Sequence, residues 1–252
     1  MNHREYSLMR QMEDTHWWYA VLHQTVAAEL RACLEDEPGL SVLDAGCGTG
    51  GMMEALRRTC DALRVTGLDK SPTALAFARQ RGFERLVEGS VDQLPFGPSA
   101  FDAVLSLDVL YFEGVDNLKA MAEFNRVLKP GGTIVLNLPA FPALRGAHDV
   151  ALRGARRYRP GEAAGMLKAS GFEVRLCHCW NLWLLLPILC WRHLSRWWLT
   201  TSKGAATSDL FALPARLNTV MSVLGRADMA LCRRFGSRLG TSVLAVARKP
   251  FQ

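Results

Sequence analysis

The sequence predicts a doubly wound α/β fold, a mostly parallel sheet with helices on both faces. Three observations carry this. Short apolar runs alternate with helical stretches from residue 41 to 139, a glycine cluster sits where the first run turns into a helix, and the junctions carry turn and capping residues. Repeated β-α units need crossover connections, and those connections place helices against the faces of a parallel sheet.

The elements follow in order. Residues 5 to 34 read as helical. Ser41 to Ala45 is the first strand candidate, and the helical stretch after the glycines runs from Gly51 to about Thr59. Arg64 to Leu68 is a second strand ending at Asp69. Ser71-Pro72 then opens a helix, with proline where a missing N–H costs nothing. Arg85 to Glu88 is a third strand, Phe101 to Leu107 a fourth and Asn117 to Leu128 a helix. A turn, Lys129-Pro130-Gly131-Gly132, precedes a fifth strand from Thr133 to Leu138. Pro160 to Ser170 reads as a helix closed by Gly171, Phe172 to Cys179 as a strand, about 182 to 199 and 213 to 235 as helices, and Ser242 to Arg248 as the last strand. The helical stretch from 180 to 235 therefore interrupts the two strands that complete a seven-stranded sheet, and such an insertion has room to form a lid or a partner surface. One domain over 1–252 is expected, with a helical lid or anchor (1–40), a ligand-binding core (41–145) and a part (146–252) that finishes the sheet.

Composition narrows the class. The chain is 49% hydrophobic and 21% charged, the profile of a folded globular protein. Seven cysteines, an odd number without a CxxC pair, argue against a secreted disulfide framework and a zinc ribbon, and no metal is expected. On a strand, His178 points away from Cys177 and Cys179. Residues 1 to 16 are polar and mixed in charge, unlike a signal peptide, so a cytoplasmic protein is expected. The longest apolar run, Leu182 to Trp191, is broken by Pro187 and falls short of the roughly 20 residues of a spanning helix. Charge is uneven: residues 1 to 144 hold 13 basic and 19 acidic side chains, and 145 to 252 hold 17 basic and 5 acidic. The basic part suits nucleic acid, anionic lipid or an acidic substrate, or simply a solvated face.

The most specific feature is Val42-Leu43-Asp44-Ala45-Gly46-Cys47-Gly48-Thr49-Gly50-Gly51. Glycines at a strand-to-helix junction let a ligand approach the backbone, and the helix N-terminus presents free N–H groups. Gly46, Gly48 and Gly51 fit the GxGxxG spacing of dinucleotide sites, and Asp69 falls about where a ribose-binding acid belongs. Asp44 argues against a dinucleotide, because its carboxylate repels a pyrophosphate. A ligand with an ammonium and a sulfonium is attracted instead. Asp44 read as a helix cap or turn residue is the bland alternative.

Together with Gly67-Leu68-Asp69-Lys70-Ser71-Pro72, Leu94-Pro95-Phe96, Ser99-Ala100-Phe101-Asp102-Ala103-Val104 and Arg126-Val127-Leu128-Lys129-Pro130-Gly131-Gly132, this loop resembles the class I S-adenosylmethionine-dependent methyltransferases of small-molecule type. The resemblance covers about residues 40 to 140 and implies a Rossmann-like sheet with S-adenosylmethionine as methyl donor. It implies that Gly46, Cys47 and Gly48 lie against the amino-acid part of the cofactor, and Asp44 and Gly50 are further cofactor-binding candidates. Asp69 would take the ribose diol, with Lys70 beside it and Leu107 lining the pocket. The family often carries GD-A-x-x-LPF after the third strand, whereas Gly89-Ser90-Val91-Asp92-Gln93-Leu94-Pro95-Phe96 stands here. The adenine contact then falls to the Ser90 hydroxyl and the Val91 backbone, or to Asp92 if the loop is displaced.

Methyl transfer from a sulfonium is an in-line displacement, so the protein mainly aligns the nucleophile, and a base is needed only when that nucleophile has a proton to lose. His148 is the candidate base because its pKa is ordinarily near neutrality; the bland alternative is a surface histidine paired with Asp149. Asp108 and Tyr111 are expected at the pocket mouth, with Asp108 and Tyr19 as catalytic candidates beside His148, and Arg156 and Arg157 would hold an anionic acceptor or stay solvated. Glu13, His16, Trp17, Trp18 and Tyr19 either anchor the N-terminal helix to the core or close over the ligands, with Tyr19 or His16 touching them. Residues 180 to 200 suit a buried cap, a homodimer contact or a peripheral membrane contact. The expected partner is a small, hydrophobic or aromatic acceptor. Nucleic acid is not expected, since Leu107-Asp108-Val109-Leu110 replaces the Asn/Asp-Pro-Pro-aromatic motif of base-amino methyltransferases. Two rival readings are a cofactor-binding enzyme turned to another reaction such as cyclisation, and a non-catalytic scaffold.

Overall fold

The computed structural model of the chain describes residues 3–34, 39–60, 62–146, 149, 154–198 and 213–251. Two helices, α1 (His3–Met12) and α2 (Trp17–Cys33), precede β1 (Ser41–Ala45), α3 (Gly51–Thr59), β2 (Arg64–Asp69), α4 (Pro72–Gln80), β3 (Leu86–Glu88), β4 (Phe101–Leu107), α5 (Asn117–Val127) and β5 (Leu128–Pro139). Then come α6 (Pro160–Ala169), β6 (Glu173–Trp180), α7 (Leu185–Trp198), α8 (Ala215–Phe235) and β7 (Ser242–Arg248). The strands form one seven-stranded sheet in the order β3-β2-β1-β4-β5-β7-β6. Neighbours among β1 to β5 pair in parallel, while β7 is antiparallel to both β5 and β6. The fold is α/β and Rossmann-like, as the sequence predicts.

Alternation along the strands builds a core on each face. Val42 of β1, Ala103 and Leu105 of β4 and Val135 of β5 pack with Leu22 and Val26 of α2, Leu56 of α3 and Met229 of α8. Their neighbours Leu43, Val104, Ile134 and Leu136 face the other way, onto Met121 and Phe124 of α5 and Leu167 of α6. These strands are apolar on both faces, as strands covered by helices on both sides must be.

Two local expectations are corrected. The Lys129–Gly132 turn is part of β5 rather than a break before it: Phe101 of β4 pairs with Leu128 and Ala103 with Thr133, so a bulge absorbs the extra residues, with Gly131 at φ +77°. The helical stretch 5–34 is broken between Met12 and Trp17. His16 caps the second helix, its Nδ1 accepting the Trp18 N–H at 3.3 Å, and Asn218 of α8 accepts the Trp17 N–H at 2.8 Å while donating to the Thr15 carbonyl at 2.7 Å. Those bonds also join the N-terminal segment to the insertion. α8 lies so close to α2 that a Cβ on Gly225 would stand 3.0 Å from Val21 Cγ2 and 3.1 Å from the Trp17 ring.

The break exposes Glu13 and Asp14 to the core of the fold. Arg81, just after α4, donates to Glu13 at 3.0 Å, to Asp14 at 2.6 Å and to the Thr49 carbonyl at 2.8 Å, and the Thr49 hydroxyl donates to Glu13. Arg81 and Glu13 have side chains only 3% exposed, and burial pushes the Glu13 carboxyl up to about 7 despite Thr49 and Arg81 holding it down. Arg81→Ala strands that carboxylate, and removing one member of a buried pair costs about 3–5 kcal/mol when the survivor stays charged. Urea unfolding should show that loss near pH 8 and a smaller one near pH 5.5, where Glu13 protonates; an equal loss at both pH values would assign the effect to packing and the Thr49 bond alone.

Candidate functional site

A cavity of about 730 Å³ opens where the carboxyl ends of the parallel strands meet the N-terminal helices and the insertion. This is the expected place for a ligand in an open α/β sheet, and the volume falls within the roughly 300–1,000 Å³ of small-molecule sites. Each strand end delivers residues to it: Asp44, Gly46, Cys47 and Gly48 after β1, Asp69 and Lys70 after β2, Ser90 and Val91 after β3, Leu107 and Asp108 after β4. Tyr6 and Met9 of α1 and Trp17, Trp18, Tyr19 and Leu22 of α2 form the opposite wall.

The glycine loop is shaped by close approach. Gly46 has φ +96°, and a Cβ there would lie 2.2 Å from Val109 Cγ2, so no side chain fits. Asp69 sits at the end of β2 with Oδ2 accepting the Gly48 N–H at 2.9 Å and Oδ1 accepting the Ser71 N–H at 2.8 Å, which fixes its carboxylate toward the loop. Asp44 is buried and its Oδ2 has no hydrogen-bond partner. Burial, with Glu13 and Asp69 adding like charge, pushes the Asp44 carboxyl up to about 8. Three carboxyls therefore converge on one end of the cavity: Arg81 and Thr49 bond Glu13, backbone N–H groups bond Asp69, and Asp44 Oδ2 alone of the three has no hydrogen-bond partner among the described residues.

The other end is aromatic with a few polar groups. Trp18 stacks on Trp180 with ring centroids 5.6 Å apart and meets Tyr19 edge-on at 5.1 Å; Tyr111 stacks on Phe112 at 4.3 Å. Asp108 adopts φ +54°, and its Oδ2 accepts from Asn137 Nδ2 at 2.8 Å, while Asn137 Oδ1 accepts from Trp180 Nε1 at 3.0 Å. The indole thus fixes the amide, and the amide fixes the carboxylate. Burial pushes Asp108 up to about 7, with Asn137 and Arg157 opposing. Tyr19 is held well above the usual phenol range by burial and by the acids Glu13 and Asp108. Arg157 does not reach out as a solvated cation: it grips Asp149 at 2.8 and 3.1 Å and the Ala140 carbonyl at 3.0 Å.

Most sequence candidates meet here, namely Tyr19, Asp44, Gly46, Cys47, Gly48, Asp69, Lys70, Ser90, Val91, Leu107 and Asp108. Gly50 does not line the cavity. It is the left-handed N-cap of α3, at φ +85°, and a Cβ there would face Ala78 and Phe83 on the far side. His148 lies outside the described residues, as do 199 and 200 of the stretch expected to cap, dimerise or touch membrane. Asp92 turns to α5, accepting the Asp116 N–H at 3.4 Å, and leaves the β3 end of the cavity to Ser90 and Val91. In the aromatic cluster Trp17 is 4% exposed and packs in the core, and Tyr19 lines the cavity. Asn181 was not foreseen: fully buried at φ +59°, it lines the cavity with both carboxamide atoms unpartnered. Its only local signal is asparagine's tolerance of the left-handed region at a strand end.

Comparison with known proteins agrees with this geometry. Residues 43–136 match the family model described as a methyltransferase domain. A malonyl-acyl-carrier-protein O-methyltransferase from Pectobacterium atrosepticum is 38% identical over 118 residues, 46% of this chain and 45% of that protein. A demethylmenaquinone methyltransferase from Thermus thermophilus is 33% identical over 167 residues, 53% of this chain and 74% of that protein. The chain spans about half the length of most such relatives. A Haloferax volcanii methyltransferase solved with the Trm112 activator shares the fold, with a TM-score of 0.59 at 24% identity over 95% of this chain and 92% of that one. Glycine loop, strand-end acids and relatives converge, and the chain belongs to the class I S-adenosylmethionine-dependent methyltransferases.

Proposed function

We propose that this chain transfers a methyl group from S-adenosylmethionine to a small, largely apolar acceptor lodged against the aromatic wall of the cavity. The observation that carries the reading is a single cavity with two unlike ends, one acidic and glycine-lined, the other aromatic with Asp108 and Asn181 set into it. The unpartnered Asp44 Oδ2 tests the fit of the cofactor, since a buried lone carboxylate suits an ammonium or sulfonium and disfavours a pyrophosphate. When bound, S-adenosylmethionine supplies an electrophilic methyl group. Asp44 and Glu13 would face its cationic part, Gly46 to Gly48 would let it approach the backbone, and Asp69 would accept from the ribose hydroxyls. Ser90 and Val91 would meet the adenine.

On the acceptor side, Asp108 is the base that this geometry supports. It lies within the cavity, is oriented through Asn137, and is poised near neutrality for taking a proton from an acceptor hydroxyl or amine. Asn181 would supply both a donor and an acceptor to the polar end of the substrate, and Trp18, Tyr19 and Tyr111 would hold its flat or apolar body and exclude water. Among relatives, the names of a demethylmenaquinone and a malonyl-acyl-carrier-protein methyltransferase fit a non-nucleic-acid acceptor while that of a probable tRNA methyltransferase does not, so the reading rests on the aromatic wall of the cavity.

Calorimetric titration with S-adenosylhomocysteine, with NAD as control, tests the cofactor site. Saturable binding of the first alone is expected, and Asp69→Ala should weaken it by about 1.5–3 kcal/mol, the value of hydrogen bonds to a charged group; an unchanged Kd would move the cofactor elsewhere. Proton linkage gives a second readout. Asp44 is largely protonated at pH 7 and must ionise to meet a cation, so binding there should release a proton and tighten as pH rises from 6 to 8, then level off. Titrations in buffers of different ionisation enthalpy measure the release, and its absence would leave Asp44 without this role. For Asp108→Asn, turnover on a methylated acceptor should fall by about 10²–10⁴ with cofactor affinity intact, and wild-type kcat/KM should drop below about pH 7, where the base protonates. Full activity would exclude it as the base.

A further inference from the structure

The insertion presents an apolar surface that the fold does not use. On α8, Leu217, Val220, Leu224, Leu231 and Phe235 follow one another at helical spacing and are 46% to 77% exposed. Met229 and Cys232, on another face of the same helix, are buried against α2. Leu186 and Trp191 of α7 are likewise exposed, at 70% and 72%, while Leu184 and Ile188 of the same segment line the cavity. The apolar surface and the cavity wall are thus made by one helical unit, tied together where Asp228 of α8 accepts the Asn181 and Leu182 N–H groups at 2.6 and 3.0 Å, ahead of α7.

Charge identifies what covers this face. Arg216 and Arg234 stand one residue before Leu217 and Phe235 and so border the stripe, and Arg238 follows the helix; all three are exposed and make no ion pair among the described residues. From residue 174 to 252 the sequence has eleven basic side chains and two acidic ones, of which Asp228 is used as the cap and Asp209 lies outside the described residues. A two-fold interface uses the same patch on both copies, and among its described residues this insertion offers no acidic side chain except the already bonded Asp228 to meet these arginines from a second copy. An apolar stripe edged by arginine is instead the pattern of a helix lying in an anionic bilayer surface.

We infer that α8, with the exposed side of α7, docks the protein on an anionic lipid bilayer and sets the apolar side of the cavity toward the membrane. Among the described residues no helix is long and apolar enough to cross one, so the contact is peripheral. It bears on the proposed apolar acceptor, which would enter from the lipid phase, but the surface stands on its own observations.

Co-sedimentation of the full chain with phosphatidylcholine vesicles, and with vesicles of equal parts phosphatidylcholine and phosphatidylglycerol, tests it. Partition should be at least about ten-fold higher on the anionic vesicles and should fall with added salt. Replacing Arg216, Arg234 and Arg238 together by Gln should lower anionic partition on the order of a hundred-fold, since each cation near such a surface contributes about five-fold. Leu217→Ser, Leu224→Ser and Leu231→Ser together should abolish binding that survives high salt. S-adenosylhomocysteine calorimetry on every variant keeps folding and the cofactor reading separate from this outcome. Equal partition on the two vesicle types, or none, would overturn the inference, as would a concentration-dependent dimer that the serine variant dissolves, which would make a second copy the occupant.

Discussion

Arg81 is the point at which three parts of the chain are tied together. Its guanidinium reaches the Thr49 carbonyl in the glycine loop and the carboxylates of Glu13 and Asp14 between the first two helices. The loop and the N-terminal segment are therefore held by one side chain, and the cavity has a closed acidic end because of it. A buried ion pair contributes little net stability after desolvation, so its value here lies in position. It holds Glu13 over Gly51, where an added Cβ would come within 2.6 Å of the carboxyl carbon, and Met9 over Gly48. Covering the loop follows from the clamp, and the aromatic wall follows from α2 starting where the clamp ends.

Desolvation then works against ionisation of the acidic cluster. Asp44, Glu13 and Asp69 are all pushed upward mainly by burial, and Glu13 and Asp69 raise Asp44 further. Their raised values mean that the folded chain holds protons the unfolded chain would lose. Stability contributed by these groups accordingly declines as pH rises from the ordinary carboxylate range through about 8, because the folded state must then carry crowded charge. A cationic ligand reverses this term. Crowded acids that cost stability at high pH favour a positively charged ligand over a pyrophosphate, which is the electrostatic basis of the proposed cofactor placement.

The glycine loop, the acids at the ends of β1 and β2 and the alternation of β-α units were legible in the sequence because each depends on neighbours within a few residues. The glycines of the loop show their local role as a cluster at a strand-to-helix junction, although the close approach of Val109 to Gly46 is long-range, and Asp69 ends a strand whose apolar run is visible in the sequence. Arg81, Asn137 and Asn181 were not legible. Arg81 reads as one more cation after a helix, and its partners lie 32 to 68 positions away. Asn137 sits in an apolar strand and makes sense only once Trp180 and Asp108 flank it. The turn expected at Lys129–Gly132 failed for a similar reason: proline and glycine signal a break, but pairing with β4 on one side and β7 on the other carries the chain through it as a bulge. Gly50 lies away from the cavity because adjacent glycines in one loop serve different ends, Gly46 and Gly48 lining the cavity and Gly50 capping α3.

Sheet completion explains why the acceptor side is built from residues so distant in sequence. β7 inserts antiparallel between β5 and β6, so the end of β6 and the start of β7 both lie at the cavity edge. Any segment placed between those two strands must leave from and return to that edge. The insertion therefore meets the cavity by topology, and Trp180, the last residue of β6, can stack on Trp18 while its indole nitrogen orients Asn137. Variation in α7 and α8 could change acceptor shape and surface attachment without disturbing Asp44, Asp69 or the glycine loop, which hang on β1 and β2. The glycine-lined end of the cavity hangs on β1 and β2 while the aromatic end draws on β4, β6 and the helices, so a change at one end need not disturb the other.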